Sequence, residues 1–133
     1  MYDNKFYKNL IKPDFTPPSK IFKIVWPILY VLMFISLSMV LMTETVLKNW
    51  AIGIFISQLL LNICWSPVFF ILKQIKTAFL INIILLMNVL LMIFIFYDVS
   101  EIAGLIQIPY FFWLCFAAAL NIEFIKLNPQ IDE

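Results

Sequence analysis

The sequence predicts an all-α integral membrane protein, folded as a compact bundle of four transmembrane helices. The first observation is composition: of 133 residues, 64% are hydrophobic and 13% are charged, whereas soluble domains have about 45–50% apolar and about 25% charged residues. The second is that four apolar stretches each reach the length of about 20 residues that a helix needs to cross a bilayer. They cover approximately residues 21–42, 50–72, 77–97 and 102–127.

The breaks between these stretches are short, so consecutive helices are expected to be antiparallel neighbours in one bundle, residues 21–128. Residues 1–20 differ, because they contain four lysines and three prolines. Dense prolines resist helix formation and favour extended or turn backbone. We therefore predict a proline-rich loop or lid over residues 1–20 and a short C-terminal tail over residues 129–133.

The distribution of lysines predicts the orientation of the bundle. One side would carry Lys5, Lys8, Lys12, Lys20, Lys23, Lys73, Lys76 and Lys126, and the other only Lys48. Lysine-rich ends face the cytoplasm, so both termini are expected there. The Lys-only, Ile- and Asn-rich composition points to a bacterial genome, and thus to the bacterial cytoplasmic membrane.

Several functional classes are disfavoured by missing residue types. Without arginine, the chain has no bidentate group for phosphates or base edges, so nucleic acid is not an expected partner. Without histidine, it lacks the commonest general base and metal ligand, and we predict neither a catalytic residue nor a metal site. Cys64 and Cys115 lie in apolar runs and are predicted to be small buried side chains, with a disulfide or a reactive thiol as alternatives.

Polar and aromatic side chains recur at helical spacing in three of the four stretches. The inward stripes would hold Phe22, Trp26, Tyr30 and Met33; Gln58, Asn62, Trp65, Ser66 and Phe69; and Tyr110, Trp113, Ala117 and Asn121. One interpretation is structural, with amides linking helices and aromatic rings at the membrane interfaces. The other is an aromatic-walled cavity for a flat, largely apolar ligand, since some tryptophans lie away from the helix ends. Spacing leaves both open.

Smaller features give further expectations. Prolines at 27, 67 and 109 interrupt three helices. Such prolines kink a helix and usually affect only the shape of the bundle.

Asn82 and Asn88 are too far apart around the third helix to share one inward face. Glu123 and Lys126, three residues apart, are expected to form a surface ion pair.

Four segments of the chain form a pattern when taken in order: residues 7–13 read YKNLIKP, residues 25–33 read VWPILYVLM, residues 58–70 read QLLLNICWSPVFF, and residues 109–121 read PYFFWLCFAAALN. In this order they resemble the TspO/MBR family, the translocator proteins or peripheral benzodiazepine receptors. The resemblance extends from about Phe6 to Asn128.

The resemblance implies a membrane protein that binds porphyrins, other tetrapyrroles or similar flat hydrophobic ligands, as a sensor or transporter. No cofactor is required, although a porphyrin or haem-like ligand is expected. An enzyme that degrades porphyrin in the same pocket and a non-binding membrane scaffold are the alternatives. By motif, the ligand-binding walls would be Tyr7, Pro17, Phe22, Trp26, Tyr30, Asn62, Trp65, Ser66, Phe69, Phe70, Trp113 and Ala117.

The sequence departs from the family pattern in three respects. The family has five membrane helices and this sequence supplies four, so we expect either a lost first helix or a start placed too late. One flank of the bundle would then face lipid or a partner subunit, as in a homodimer. The cholesterol-associated pattern near the C-terminus lacks its tyrosine, and no histidine can ligate haem iron, so binding would depend on stacking and shape.

Overall fold

The computed structural model describes residues 10, 12, 14, 16–70, 72 and 74–128, without the side chains of Ser19 and Phe70. Its helices are α1 (Ser19–Leu41), α2 (Lys48–Phe70), α3 (Ile75–Val99), α4 (Glu101–Ile106) and α5 (Ile108–Leu127). The described ranges contain no β-strand. Most of the predicted lid and all of the predicted tail lie outside the described residues.

Within the residues that the structure describes, four helical segments are long and apolar enough to cross a membrane: Lys20–Leu41, Lys48–Phe69, Ile75–Val99 and Glu101–Leu127. At 1.5 Å per residue, the 22 to 27 residues of these segments are about 33–40 Å long. That length exceeds the hydrocarbon core of about 30 Å. The predicted four-span, all-α membrane fold is confirmed.

The fourth span is divided, whereas the sequence suggested one continuous helix. Helix α4 begins after Ser100, whose side chain accepts a hydrogen bond from the Ala103 backbone N–H, and ends at Gln107. Helix α5 then begins with Pro109 in its first turn, where the missing N–H of proline removes no helical hydrogen bond. Pro27 and Pro67, by contrast, lie inside α1 and α2.

Helix α3 is the centre of the packing, because it runs closely along α2, α4 and α5. Helix α1 packs mainly on α4, at the end of the bundle where α1 ends. The backbones of α1 and α2 make little or no close approach to α5. The space between α1, α2 and α5 is therefore bridged by long side chains, which makes it the natural place for a site.

Two other predictions about side chains on the helices are confirmed. Asn82 is buried and donates to the Leu114 carbonyl, whereas Asn88 donates to the Ser57 hydroxyl on α2. These two asparagines therefore face different neighbours. Glu123 and Lys126 form an exposed ion pair of 3.5 Å.

The prediction that Cys64 and Cys115 are buried is wrong. Both are free thiols exposed on the outside of the bundle. Apolar character does not indicate burial in this protein, because lipid is the surrounding solvent and the outer surface is itself apolar. Phe94 and Phe112, both on that surface, are more than 60% exposed within the bundle.

Candidate functional site

An aromatic cluster lies at the end of the bundle where α1 and α3 begin and α2 and α5 end. We call this the lysine-rich end. Here Trp113 of α5 meets two rings of α1: its centroid is 5.5 Å from Phe22 and 6.3 Å from Trp26, edge to face in both cases. These three rings span the space between α1 and α5 that the backbones leave open.

Helix α2 contributes a second pair of rings to the same end. Trp65 and Phe69 are stacked with centroids 5.2 Å apart, and Phe69 also meets Phe124 of α5 edge to face at 5.8 Å. Phe22 and Phe69 belong to one buried cluster, against which Trp26, Trp65 and Trp113 pack. The three helices thus place their large rings on one common site.

Leu10, from the segment before α1, is buried in this aromatic cluster. Lys12 follows, and its ammonium donates to the Leu10 carbonyl at 3.3 Å. Partial burial lowers the pKa of Lys12, since desolvation disfavours the charged form. The part of the N-terminal segment that the structure describes therefore covers the lysine-rich end, and Pro17 is half-buried there.

A ladder of hydrogen bonds crosses the bundle beside the aromatic rings. The Tyr30 hydroxyl donates to the Asn62 Oδ1, and the Asn62 amide donates to the Tyr110 hydroxyl at 2.8 Å. Tyr110 donates in turn to the Gln58 Oε1 at 2.8 Å, and the Gln58 amide faces the Met33 sulfur at 3.8 Å. This ladder ties α1, α2 and α5 together and provides a polar boundary for the aromatic site.

The remaining predicted site residues either lie at the edge of the site or fall outside the described atoms. Ser66 and Ala117 are half-buried. Phe70 is the last residue of α2, but its side chain lies outside the described atoms, as does the whole of Tyr7. The structure therefore brings together Phe22, Trp26, Tyr30, Asn62, Trp65, Phe69 and Trp113 around the space between α1, α2 and α5.

Several residues of this region were absent from the predicted site, among them Gln58, Tyr110, Phe124 and Leu10. Gln58 and Tyr110 were on the inward stripes, and their role in the ladder follows from the spacing Gln58-x-x-x-Asn62 on one helix and a tyrosine on another. Leu10 lies in the family-like segment of residues 7–13, but that segment has no helical periodicity from which the burial of its side chain could be predicted.

The site is largely apolar and contains a few hydrogen-bonding groups. The indole N–H of Trp113 is buried and has no hydrogen-bond partner among the described residues. No group of three His, Cys, Asp or Glu side chains in the described part of the chain could hold a metal. Aromatic faces and isolated polar groups suit an apolar ligand with few polar substituents.

A separate shallow groove of about 380 Å³ lies on the outer face of α1. It is lined by Tyr30, Val31, Phe34, Ile35 and Ser38. Only Tyr30 belongs to both this groove and the predicted site. The groove opens outward, so it is part of the surface that lipid contacts.

Comparison with known proteins agrees with this architecture. The chain is 38% identical to the tryptophan-rich protein TspO of Chlorobaculum tepidum, and the match covers 93% of this chain and 80% of that protein. It is 33% identical to protein CrtK of Rhodobacter capsulatus, with 93% and 79% covered, and 31% identical to the human translocator protein, with 88% and 71% covered. The model of the TspO/MBR family matches residues 2–127. The chain therefore belongs to the TspO/MBR family.

Proposed function

We propose that this membrane protein binds a porphyrin, another tetrapyrrole or a similar flat hydrophobic ligand at the lysine-rich end, and acts as a sensor or transporter of that ligand. The observation that carries the proposal is the convergence of Phe22, Trp26 and Trp113 across a space that the backbones of α1 and α5 leave open. Side chains, rather than closely packed backbones, fill this space. Rotation of these side chains alone would therefore make room for a ligand.

Binding would use the faces of these rings. Trp26 and Trp113 now meet edge to face, so a flat ligand between them requires at least one indole to rotate. Rotation would also present the buried N–H of Trp113 to a polar group of the ligand. Because the chain contains no histidine, recognition would depend on stacking, shape and a few hydrogen bonds rather than on ligation of iron.

Charge at the mouth of the site suits the same ligand class. Lys20 and Lys23 are exposed at the start of α1, beside the aromatic cluster. Natural porphyrins carry carboxylates at the edge of an apolar ring, so a ring buried among aromatics would place its carboxylates near these ammonium groups. Relatives named tryptophan-rich sensory protein and translocator protein support the roles of sensor and transporter.

The proposal is tested by the affinity of purified protein for protoporphyrin IX, followed by the shift of the Soret band. The double variant Trp26→Phe/Trp113→Phe keeps two aromatic rings but reduces the stacking area and removes the buried N–H. We expect it to bind more weakly, by about tenfold if about 1.4 kcal/mol of stacking and hydrogen bonding is lost.

Trp50→Phe is the matched control. Trp50 lies at the opposite end of the bundle in the first turn of α2 and is 72% exposed, so its replacement should leave the affinity unchanged. Equal affinities for wild type, the control and the double variant would refute the proposed site.

We also propose that the lysine-rich end faces the cytoplasm of a bacterial cell, in accordance with the lysine distribution. The variant Glu44→Cys, in a background with Cys64→Ala and Cys115→Ala, would report this orientation. A membrane-impermeant maleimide should label that cysteine in intact spheroplasts. Labelling only after the membrane is broken would show the reverse orientation.

A further inference from the structure

Gln107 is a fully buried amide that the proposed ligand site does not use. It lies between α4 and α5, where the fourth span is divided. Both its Oε1 and its Nε2 are buried without a hydrogen-bond partner in the described structure. An unsatisfied amide inside a membrane bundle costs several kcal/mol, so a group that completes its hydrogen bonds is expected.

The direction of the Gln107 side chain follows from helical spacing. Ala103, Tyr110 and Leu114 stand at −4, +3 and +7 from it, which places all four residues on one face across the short break. Each of the other three is buried in the main core of the bundle. The amide therefore points into the core of the bundle.

Three side-chain contacts lie around the region that faces Ala103, Gln107, Tyr110 and Leu114. Ser36 of α1 donates to the Ala103 carbonyl at 2.6 Å, and Tyr110 donates to the Gln58 Oε1 at 2.8 Å. Gln58 in turn faces Met33, which lies one turn before Ser36 on α1. These contacts, together with the helical steps from Met33 to Ser36 and from Ala103 through Gln107 to Tyr110, form a closed ring of buried groups. Gln107 joins this ring through its place in the chain, between Ala103 and Tyr110.

Two members of the ring retain hydrogen-bonding capacity. The Gln58 Nε2 carries two protons, and the acceptor that the structure gives it is a thioether sulfur, a weak one. The Ser36 hydroxyl donates its single proton and keeps its lone pairs. Spare donors and acceptors thus come from α1, α2 and the break between α4 and α5, and all three side chains are fully buried.

We infer that Gln107 is the centre of an internal water site bounded by Ser36, Met33, Gln58 and Tyr110. Buried waters typically make about three hydrogen bonds to polar groups that would otherwise lack partners. The groups on this ring are all neutral, so the site suits a neutral molecule that both donates and accepts. Water would link the Tyr30–Asn62–Tyr110–Gln58 ladder to the break in the fourth span and satisfy the amide of Gln107.

Radiolytic labelling of the intact protein in detergent tests the inference, because X-rays convert bound water into hydroxyl radicals that oxidise adjacent side chains. Met33 and Met92 form a matched pair, since both are fully buried in the same core and only Met33 belongs to the ring. We expect Met33 to be oxidised several-fold faster than Met92. Met42, which is 86% exposed, calibrates the radical dose.

The variant Gln107→Leu removes the amide while nearly preserving the volume of the side chain. It should lower the oxidation rate of Met33 to that of Met92 and leave the rate of Met42 unchanged. The wild-type comparison decides the matter even if this variant does not fold. Equal rates for Met33 and Met92 in the wild type, or an unchanged rate for Met33 in the folded variant, would overturn the water site.

Discussion

The two ends of the bundle differ in how closely their helix backbones approach one another. At the lysine-rich end, Trp26, Trp65 and Trp113 are only half-buried and meet their neighbours ring against ring. At the opposite end rings also meet, as Phe55 does with Phe96, but α4 lies so close to α3 that Gly104 touches the backbone of Tyr97. The polar ladder separates the two regions.

This difference suggests that the two ends of the bundle have different roles. Close backbone packing, as at Gly104, leaves no room for a helix to move or for a ligand to enter. Large rings that bridge separated helices can rotate without moving the backbone. The opposite end would hold the bundle together, while the lysine-rich end would accommodate a ligand.

Gly104→Ala is expected to lower the stability of the protein most, because Gly104 lies at a very close approach of two helices. In Gly104→Ala, the added Cβ would lie 2.7 Å from both the Cα and the Cβ of Tyr97, so α4 and α3 must separate. Overpacking of this kind costs about 1–3 kcal/mol or more. Thermal unfolding in detergent should show a clear fall in Tm.

Gly53→Ala is the control, because a Cβ at Gly53 meets nothing within 4 Å. Alanine is also the better helix former by about 1 kcal/mol. The Tm of this variant should stay the same or rise. If both alanine variants had the same Tm as the wild type, the account of rigid packing at the opposite end would be wrong.

A smaller effect is expected at the boundary between the two ends. Tyr110→Phe removes a hydroxyl that accepts from Asn62 and donates to Gln58. Two buried amides then each lose a partner, at a cost of about 1–3 kcal/mol, or less if they find partners in the unfolded membrane state as well. We expect a lower Tm, because the hydrogen bonds between α5 and α2 are lost.

Tyr97→Phe serves as the comparison, since Tyr97 is 44% exposed and lies outside the ladder. Its Tm should not change. A Tyr110→Phe variant as stable as Tyr97→Phe would show that the ladder contributes little to the fold.

The architecture could be predicted from the sequence because the bilayer imposes a simple rule on length and composition. Four apolar stretches of sufficient length led to four spans, and helical spacing placed Trp26, Asn62 and Trp113 on inward stripes. Both inferences depend only on the period of a helix and the thickness of a membrane.

Other features depend on which helices approach one another, which spacing along one helix does not reveal. The same apolar character put Cys64 on the outside and Met33 in the core. The break at Gln107 was missed because Pro109 was interpreted as an interruption of a single helix rather than as part of the first turn of a new one. The burial of Leu10 required the tertiary fold.

The most direct test of the central proposal is to find where a bound porphyrin lies. Illuminated protoporphyrin IX generates singlet oxygen from dissolved O₂, and singlet oxygen oxidises nearby indoles, which mass spectrometry can locate. We expect oxidation first at Trp26 and Trp113, although both are only half-exposed, and little oxidation of Trp50, although it is 72% exposed. Oxidation of Trp50 ahead of the other two would place the ligand elsewhere and contradict the proposed site.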